Sequence, residues 1–175
     1  MGVSGVTFLV ILIFLASQRL YELKIANRNT KTLLRSGAVE FGARHYWVLV
    51  SLHTLFLVSM IFEANVRPVH LSEYWFFFFV VFILGQLGRV WVIQTLKGRW
   101  TTRIIVSPGR ALVTEGPFRY ISHPNYLIVA IEFYVIPMMF NLYWTALLFS
   151  ILNAAVLLLI RLPEEERALR WGVKL

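Results

Sequence analysis

Apolar positions in this chain gather into five long runs, at about 3–23, 46–62, 74–96, 124–140 and 142–160, separated by polar segments. Each run is close to the roughly 17–25 residues that carry a helix across the hydrocarbon core of a bilayer. Inside lipid every backbone N–H and C=O has to be satisfied within the protein, which leaves helices as the spanning element. Alternating ten-residue strands are absent, so the pattern does not support a β-barrel. The chain is therefore expected to be an all-α integral membrane protein, a single membrane domain over 1–175 with five transmembrane helices. The last two, joined by a very short connection, are expected to form a helical hairpin. No basic residue precedes the first run, and Gln18-Arg19-Leu20 is not a small-residue cleavage site, so a span is expected there and not a leader peptide.

Composition agrees with a bilayer. Hydrophobic residues make up 58% of the chain and charged residues 15%, against about 25% charged in soluble domains. The absence of cysteine excludes disulfides and thiolate metal sites. Lys and Arg number 17 against nine Glu and no Asp, for a net charge of +8. Fifteen of those 17 lie in segments 18–45, 97–123 and the tail from Arg161; Arg67 sits in the 63–73 loop and Arg89 within a span. The positive-inside rule then places the N-terminus outside and the C-terminus in the cytoplasm. Topology and anionic headgroups account for the basic charge, so membrane lipids are expected partners and nucleic acid is not.

Within the spans, polar residues are few. The first two runs carry little chemistry, and His53 is expected to be a packed or hydrogen-bonded residue. His45, His53, His70 and His123 show no metal-ligand spacing, so no metal is expected. Phe76 to Phe79 spread around a helix axis as lipid-facing and packing bulk. Gln86 and Arg89 share a helix face, and so do Asn125 and Glu132, whereas Glu132 and His123 fall on opposite faces. An arginine or glutamate this deep has to snorkel, pair, line a polar cavity or, for Glu132, stay protonated.

The segment 97–123 holds two short runs, Ile104 to Val106 and Ala111 to Val113, around Pro108-Gly109. A small hairpin or paired extended loop is expected there, with a plain irregular loop as the other reading. Next comes Gly116-Pro117-Phe118-Arg119-Tyr120, then Ser122-His123-Pro124-Asn125-Tyr126 at the start of the fourth span. Pro124 suits the first turn of a helix, and the free N–H groups there can hold an anion. The fifth span closes with Arg161-Leu162-Pro163-Glu164-Glu165-Glu166-Arg167-Ala168-Leu169. Charge pattern alone reads this as a short helix begun by proline and acidic residues.

As an ordered set around two adjacent spans, these segments resemble the isoprenylcysteine carboxyl methyltransferase family over about 85–171. The residues that carry the resemblance are Gly116-Pro117-Phe118-Arg119-Tyr120, His123-Pro124-Asn125-Tyr126 and Arg161…Glu165-Glu166…Leu169. The resemblance implies methyl transfer from S-adenosyl-L-methionine, with the 97–123 loop closing the cofactor site. It implies Val113, Gly116, Tyr120, His123, Pro124, Tyr126, Glu165 and Glu166 around the cofactor. Arg89, Arg119, Arg161 and Glu132 are the candidates at the reacting centre. Arginine usually precedes His-Pro in the family and Ser122 stands here, so Arg119 or Arg89 is the candidate for that charge. The short chain is similar to the family's bacterial branch, associated with O-methylation of alkylpyrones. That implies a lipophilic acceptor from the bilayer, a bacterial plasma membrane and an active site facing the cytoplasm. Three other readings stay open: a phospholipid or amine N-methyltransferase, which needs a proton acceptor such as Glu132 or Glu165; an NADPH-dependent enzyme like the membrane sterol reductases; and a non-catalytic membrane subunit.

Overall fold

A computed structural model describes residues 2–173; Lys174, counted above among the tail's basic residues, lies outside the described residues. Among the described residues, four helical stretches are long and apolar enough to cross a membrane: Val3–Arg35, Ala43–Val66, Trp75–Arg99 and Tyr143–Gly172. A shorter apolar helix, Pro124–Met138, completes the five. The protein is an all-α integral membrane protein.

Helix α1 (Val3–Arg35) is longer than its apolar run. At 1.5 Å per residue it extends about 50 Å, well beyond a hydrocarbon core of about 30 Å. The sequence pattern ended the span near Leu23 because polar residues begin there, but a buried stripe continues through Phe8, Ile11, Leu15, Glu22, Ala26, Thr30 and Leu33. That three- and four-residue spacing keeps one face inward and the helix intact. Gly37, at φ +89°, then ends it: Ala38 N–H bonds Leu33 O and Gly37 N–H bonds Leu34 O, a Schellman turn.

Strand β1 (Val39–Phe41) comes next and leads through a 3-10 turn, Ala43–His45, into α2 (Tyr46–Val66) and α3 (Trp75–Leu96). Of the four consecutive phenylalanines, Phe78 is in the core while Phe76, Phe77 and Phe79 face outward. Strand β2 (Ile104–Val106) pairs antiparallel with β1, Val39 opposite Val106 and Phe41 opposite Ile104. The local hairpin expected around Pro108-Gly109 is therefore not formed. Residues 111–113 stay irregular, Leu112 is exposed, and the partner of 104–106 arrives from the end of α1. Arg103 secures the pairing, its guanidinium 2.7 Å from Glu40 and 4.2 Å from the centre of the Tyr46 ring.

Helices α4 (Pro124–Met138) and α5 (Tyr143–Val156) form the expected hairpin. Its turn is buried, with Met139, Phe140 and Leu142 at 1–2% exposure, and Asn141 takes the left-handed conformation that reverses the chain. Glu63, at the end of α2, accepts N–H bonds from Trp144 (3.2 Å) and Thr145 (2.8 Å), satisfying the open donors at the start of α5. After α5 the chain makes one π-helical turn, Leu157–Arg161, and enters α6 (Leu162–Val173). Helix α6 lies on the β1–β2 ribbon, with Trp171 against Phe41 and Gly172 against Val106.

Helices α3, α4 and α5 approach closely, while α1 reaches the others within the span chiefly through long side chains, Phe8 on Phe140 and Phe14 on Phe82. The C-terminal parts of α1, α3 and α5, the starts of α2 and α4, the ribbon and α6 all gather at one end of the bundle. Replacing Glu63 by Leu leaves the buried N–H of Thr145 and the part-buried N–H of Trp144 unpaired and should cost about 1–3 kcal/mol of stability, read from chemical denaturation in detergent; an unchanged midpoint would remove Glu63 from the fold's supports.

Candidate functional site

Two polar clusters occupy that end of the bundle, one inside the span region and one at its rim. The inner cluster centres on Glu132 and Arg89, which are 1% and 2% exposed. Arg89 pairs directly with Glu132, and Gln86 donates to the other carboxylate oxygen at 2.6 Å. Arg19 on α1 bridges Glu132 (2.7 Å) and Glu22 (2.9 Å). Glu22 also accepts from Gln18 and faces Arg89 Nε at 3.5 Å. Two guanidinium groups thus balance two carboxylates, which is how charges survive among apolar helices. Arg89 also extends Nη1 to within 3.5 Å of Asn125 at the start of α4, so the cluster touches the first turn of that helix.

The rim cluster forms where α4 begins and α6 begins. Tyr126 donates its phenol proton to Glu165 and accepts from Arg161 Nε at 2.9 Å. His123 stacks on Tyr126, ring centres 5.2 Å apart and nearly parallel, with its Nδ1 3.8 Å from Glu165. His123 and Glu165 each keep about a third of the side chain open, at 34% and 28% exposure. The geometry brings a guanidinium, a carboxylate, a phenol and an imidazole to one partly open place beside the first turn of α4, where Pro124 carries no N–H and those of Tyr126 and Leu127 bond the His123 carbonyl.

The π turn puts Arg161 there. Pro163 has no N–H for the Leu159 carbonyl, and its ring would crowd that carbonyl in a regular helix. The wider turn at Leu157–Arg161 relieves the clash. It holds one more residue than an α turn and so sets back the phase of the next helix by about 100°. Arg161, eight residues after the buried Asn153, thereby returns to nearly the same inward face, and Glu165 lies one turn on.

The sequence-derived candidates divide accordingly. His123, Tyr126, Arg161 and Glu165 come together, with Pro124 buried at the first helical position of α4. Arg89 and Glu132 meet in the inner cluster. Gly116, at φ +57°, packs against α3 so closely that a Cβ would lie 2.6 Å from Thr95 Oγ1. Arg119 lies exposed over the ring of Tyr120, itself 74% exposed, and neither joins a cluster. Val113 is half-buried in the irregular segment, and Glu166 points outward to Arg170 at 3.4 Å. Sequence reasoning missed Gln18, Arg19 and Glu22. The signal was Arg19 and Glu22 three residues apart in line with Leu15 and Ala26, a helix face that continues past the apolar run.

Glu132→Leu should strand Arg89 without its carboxylate and cost about 3–5 kcal/mol, whereas Arg89→Met with Glu132→Leu together should recover most of it, since the Arg19–Glu22 pair remains. Unfolding of the purified single and double variants checks this, and equal losses would show that the pair is not the unit.

The family model described as Isoprenylcysteine carboxyl methyltransferase (ICMT) family matches residues 76–171, which takes in α3 to α6 and the whole rim cluster. A protein of Bacillus subtilis (strain 168) named Uncharacterized protein YpbQ is 37% identical over 168 residues, 95% of this chain and 99% of that protein. A Haemophilus influenzae protein, also named Uncharacterized protein, is 28% identical over 152 residues, 86% of this chain and 88% of its own. No solved structure matches significantly.

Proposed function

Because the chain belongs to the isoprenylcysteine carboxyl methyltransferase family, a family of membrane methyltransferases, we propose that it moves a methyl group from S-adenosyl-L-methionine to an oxygen of a lipophilic acceptor. The single observation that carries this reading is the meeting of His123, Tyr126, Arg161 and Glu165 at the rim, from two segments far apart in sequence.

The residues present suit the donor's chemistry. Arg161 and the positive end of the α4 dipole suit a carboxylate, Glu165 fits an amino group or ribose hydroxyls, and the stacked His123 and Tyr126 rings offer a flat face. When bound, the donor supplies an electrophilic methyl on a sulfonium: a C–O bond forms as the S–CH3 bond breaks, and the electron pair stays on sulfur. Arg161 holds charge beside the acceptor oxygen without taking its proton, because a guanidinium stays protonated. Tyr126 fixes both Arg161 and Glu165 through its single hydroxyl, donating to one and accepting from the other. An acidic hydroxyl or carboxylate acceptor is already ionised near neutral pH, so no strong base is required. The rim lies at the edge of the spanning bundle and is partly open, so an alkyl tail can remain in the bilayer while the head reaches it.

In this reading Arg89 and Glu132 position rather than react, since both are buried in the ion cluster and Arg89 approaches Asn125 at the start of α4. The rim faces the cytoplasm, consistent with the basic segments at that end, and the membrane is a bacterial plasma membrane. The acceptor is alkylpyrone-like or isoprenylcysteine-like in carrying an acidic oxygen on an apolar chain.

Glu165→Gln and Tyr126→Phe should each weaken donor binding about tenfold or more, the loss of one charge-assisted hydrogen bond, measured calorimetrically in detergent with the fold checked by thermal unfolding. Membranes containing the protein, supplied with isotope-labelled methyl donor and a lipid extract, should yield a labelled lipid product identifiable by mass spectrometry. Wild-type binding in both variants, or binding of NADPH in place of the methyl donor, would overturn the proposal.

A further inference from the structure

Between Lys97 and Gly116 the chain leaves the end of α3 and comes back to it. It starts with a 3-10 turn, Lys97–Arg99. It returns at Gly116, where a Cβ would stand 2.6 Å from Thr95 Oγ1 and 3.1 Å from Trp91 Nε1. Leu87 and Trp91, one turn apart on that part of α3, are 62% and 48% exposed and so face lipid. The apolar run of α3 ends at Leu96. The segment therefore lies against the lipid-facing flank of α3, at the depth of the headgroups.

Two guanidinium groups come together there without a carboxylate. Arg99 donates from Nη2 to the Ala111 carbonyl at 2.9 Å, which draws residues 110–111 to the end of α3. Arg110 closes the turn that Pro108-Gly109 favours, with its N–H 3.3 Å from the Ser107 carbonyl and Gly109 at φ +68°. The charges of Arg99 and Arg110 are close enough to act on each other. Other arginines are balanced: Arg19 and Arg89 by Glu22 and Glu132, Arg103 by Glu40, Arg167 by Glu164 and Arg170 by Glu166. Among the described residues Lys97, Arg99 and Arg110 pair with no carboxylate, and Glu115, the one acidic residue of segment 97–123, is exposed and joins no ion pair.

We propose that Arg99 and Arg110 hold the phosphate of an anionic phospholipid of the cytoplasmic leaflet. A phosphate presents oxygens to both guanidinium groups at once and cancels their repulsion. Leu112, two residues on and 60% exposed, gives the lipid's chains an apolar neighbour. A free phosphate shares the headgroup's chemistry, but the depth of the seat and the lipid-facing flank beside it select the lipid. Occupation pins residues 107–113, which have no regular structure and lead through Gly116 to His123. The lipid is thus a brace beneath the rim. The seat does not depend on the methyl-transfer reading, and its test uses neither donor nor turnover.

The full chain is placed in nanodiscs of phosphatidylcholine with and without phosphatidylglycerol. Native mass spectrometry reads the retained lipid, and hydrogen exchange reads residues 107–113. Phosphatidylglycerol should be retained about tenfold or more over phosphatidylcholine, the gain of a charge-assisted contact, and should slow exchange in 107–113. Arg99→Gln and Arg110→Gln should each lower that retention about fivefold, the loss of one cation near a lipid surface. Arg110 is exposed and its side chain bonds nothing in the fold, so its variant stays folded. Arg167→Gln removes the same charge from exposed α6 and should leave retention unchanged. No preference for phosphatidylglycerol, or an equal loss in Arg167→Gln, would reduce the seat to diffuse attraction and overturn it. Equal protection of 107–113 by inorganic phosphate in phosphatidylcholine discs would overturn the lipid assignment, and unchanged exchange with lipid retained would overturn the brace.

Discussion

A guanidinium buried among lipid-facing helices has no water to solvate it, and Glu132 takes the place of that water for Arg89. Most of the working end of the bundle depends on this constraint. Pairing Arg89 with Glu132 locks α3 to α4, and Glu132 also accepts from Arg19, which is balanced in turn by Glu22 and ties in α1. Breaking such a pair costs several kcal/mol because the remaining charge is left uncompensated. The cluster therefore fixes the height of α4, and hence where His123 and Tyr126 emerge at the rim. Asn125, one residue before Tyr126, is the point of contact between the two clusters.

The rim itself is built by two prolines with opposite consequences. Pro124 begins a helix at a position where its missing N–H costs nothing, which exposes the helix N-terminus beside His123. Pro163 sits where a regular helix would need an N–H, and the π turn that results swings Arg161 inward. Tyr126 ties the two together.

Much of the architecture was legible in the pattern of apolar runs, because length in a bilayer is dictated by thickness and little else. The hairpin of α4 and α5 could be read from order and spacing, while the meeting of His123 with Glu165 was implied by the family resemblance and not by spacing. The sequence reading placed Glu132 on the face of Asn125 and away from His123, and the structure keeps them so: Glu132 sits with Arg89, and Asn125 lies against the same guanidinium. Two features were not readable in that way. Strand pairing between 39–41 and 104–106 joins residues more than sixty apart, and three apolar residues beside a Pro-Gly turn look the same whether their partner is local or distant. The first span was read as carrying little chemistry. Arg19 and Glu22 gain meaning only once the helix is known to continue and to face α4.

The account comes down to whether the four rim residues hold the methyl donor. A mesophase crystal structure of the protein with S-adenosyl-L-homocysteine measures this most directly. The account predicts density against the stacked His123 and Tyr126 rings and in contact with Arg161 and Glu165. Density at any other place on the protein, with these four residues in contact only with one another, would contradict it.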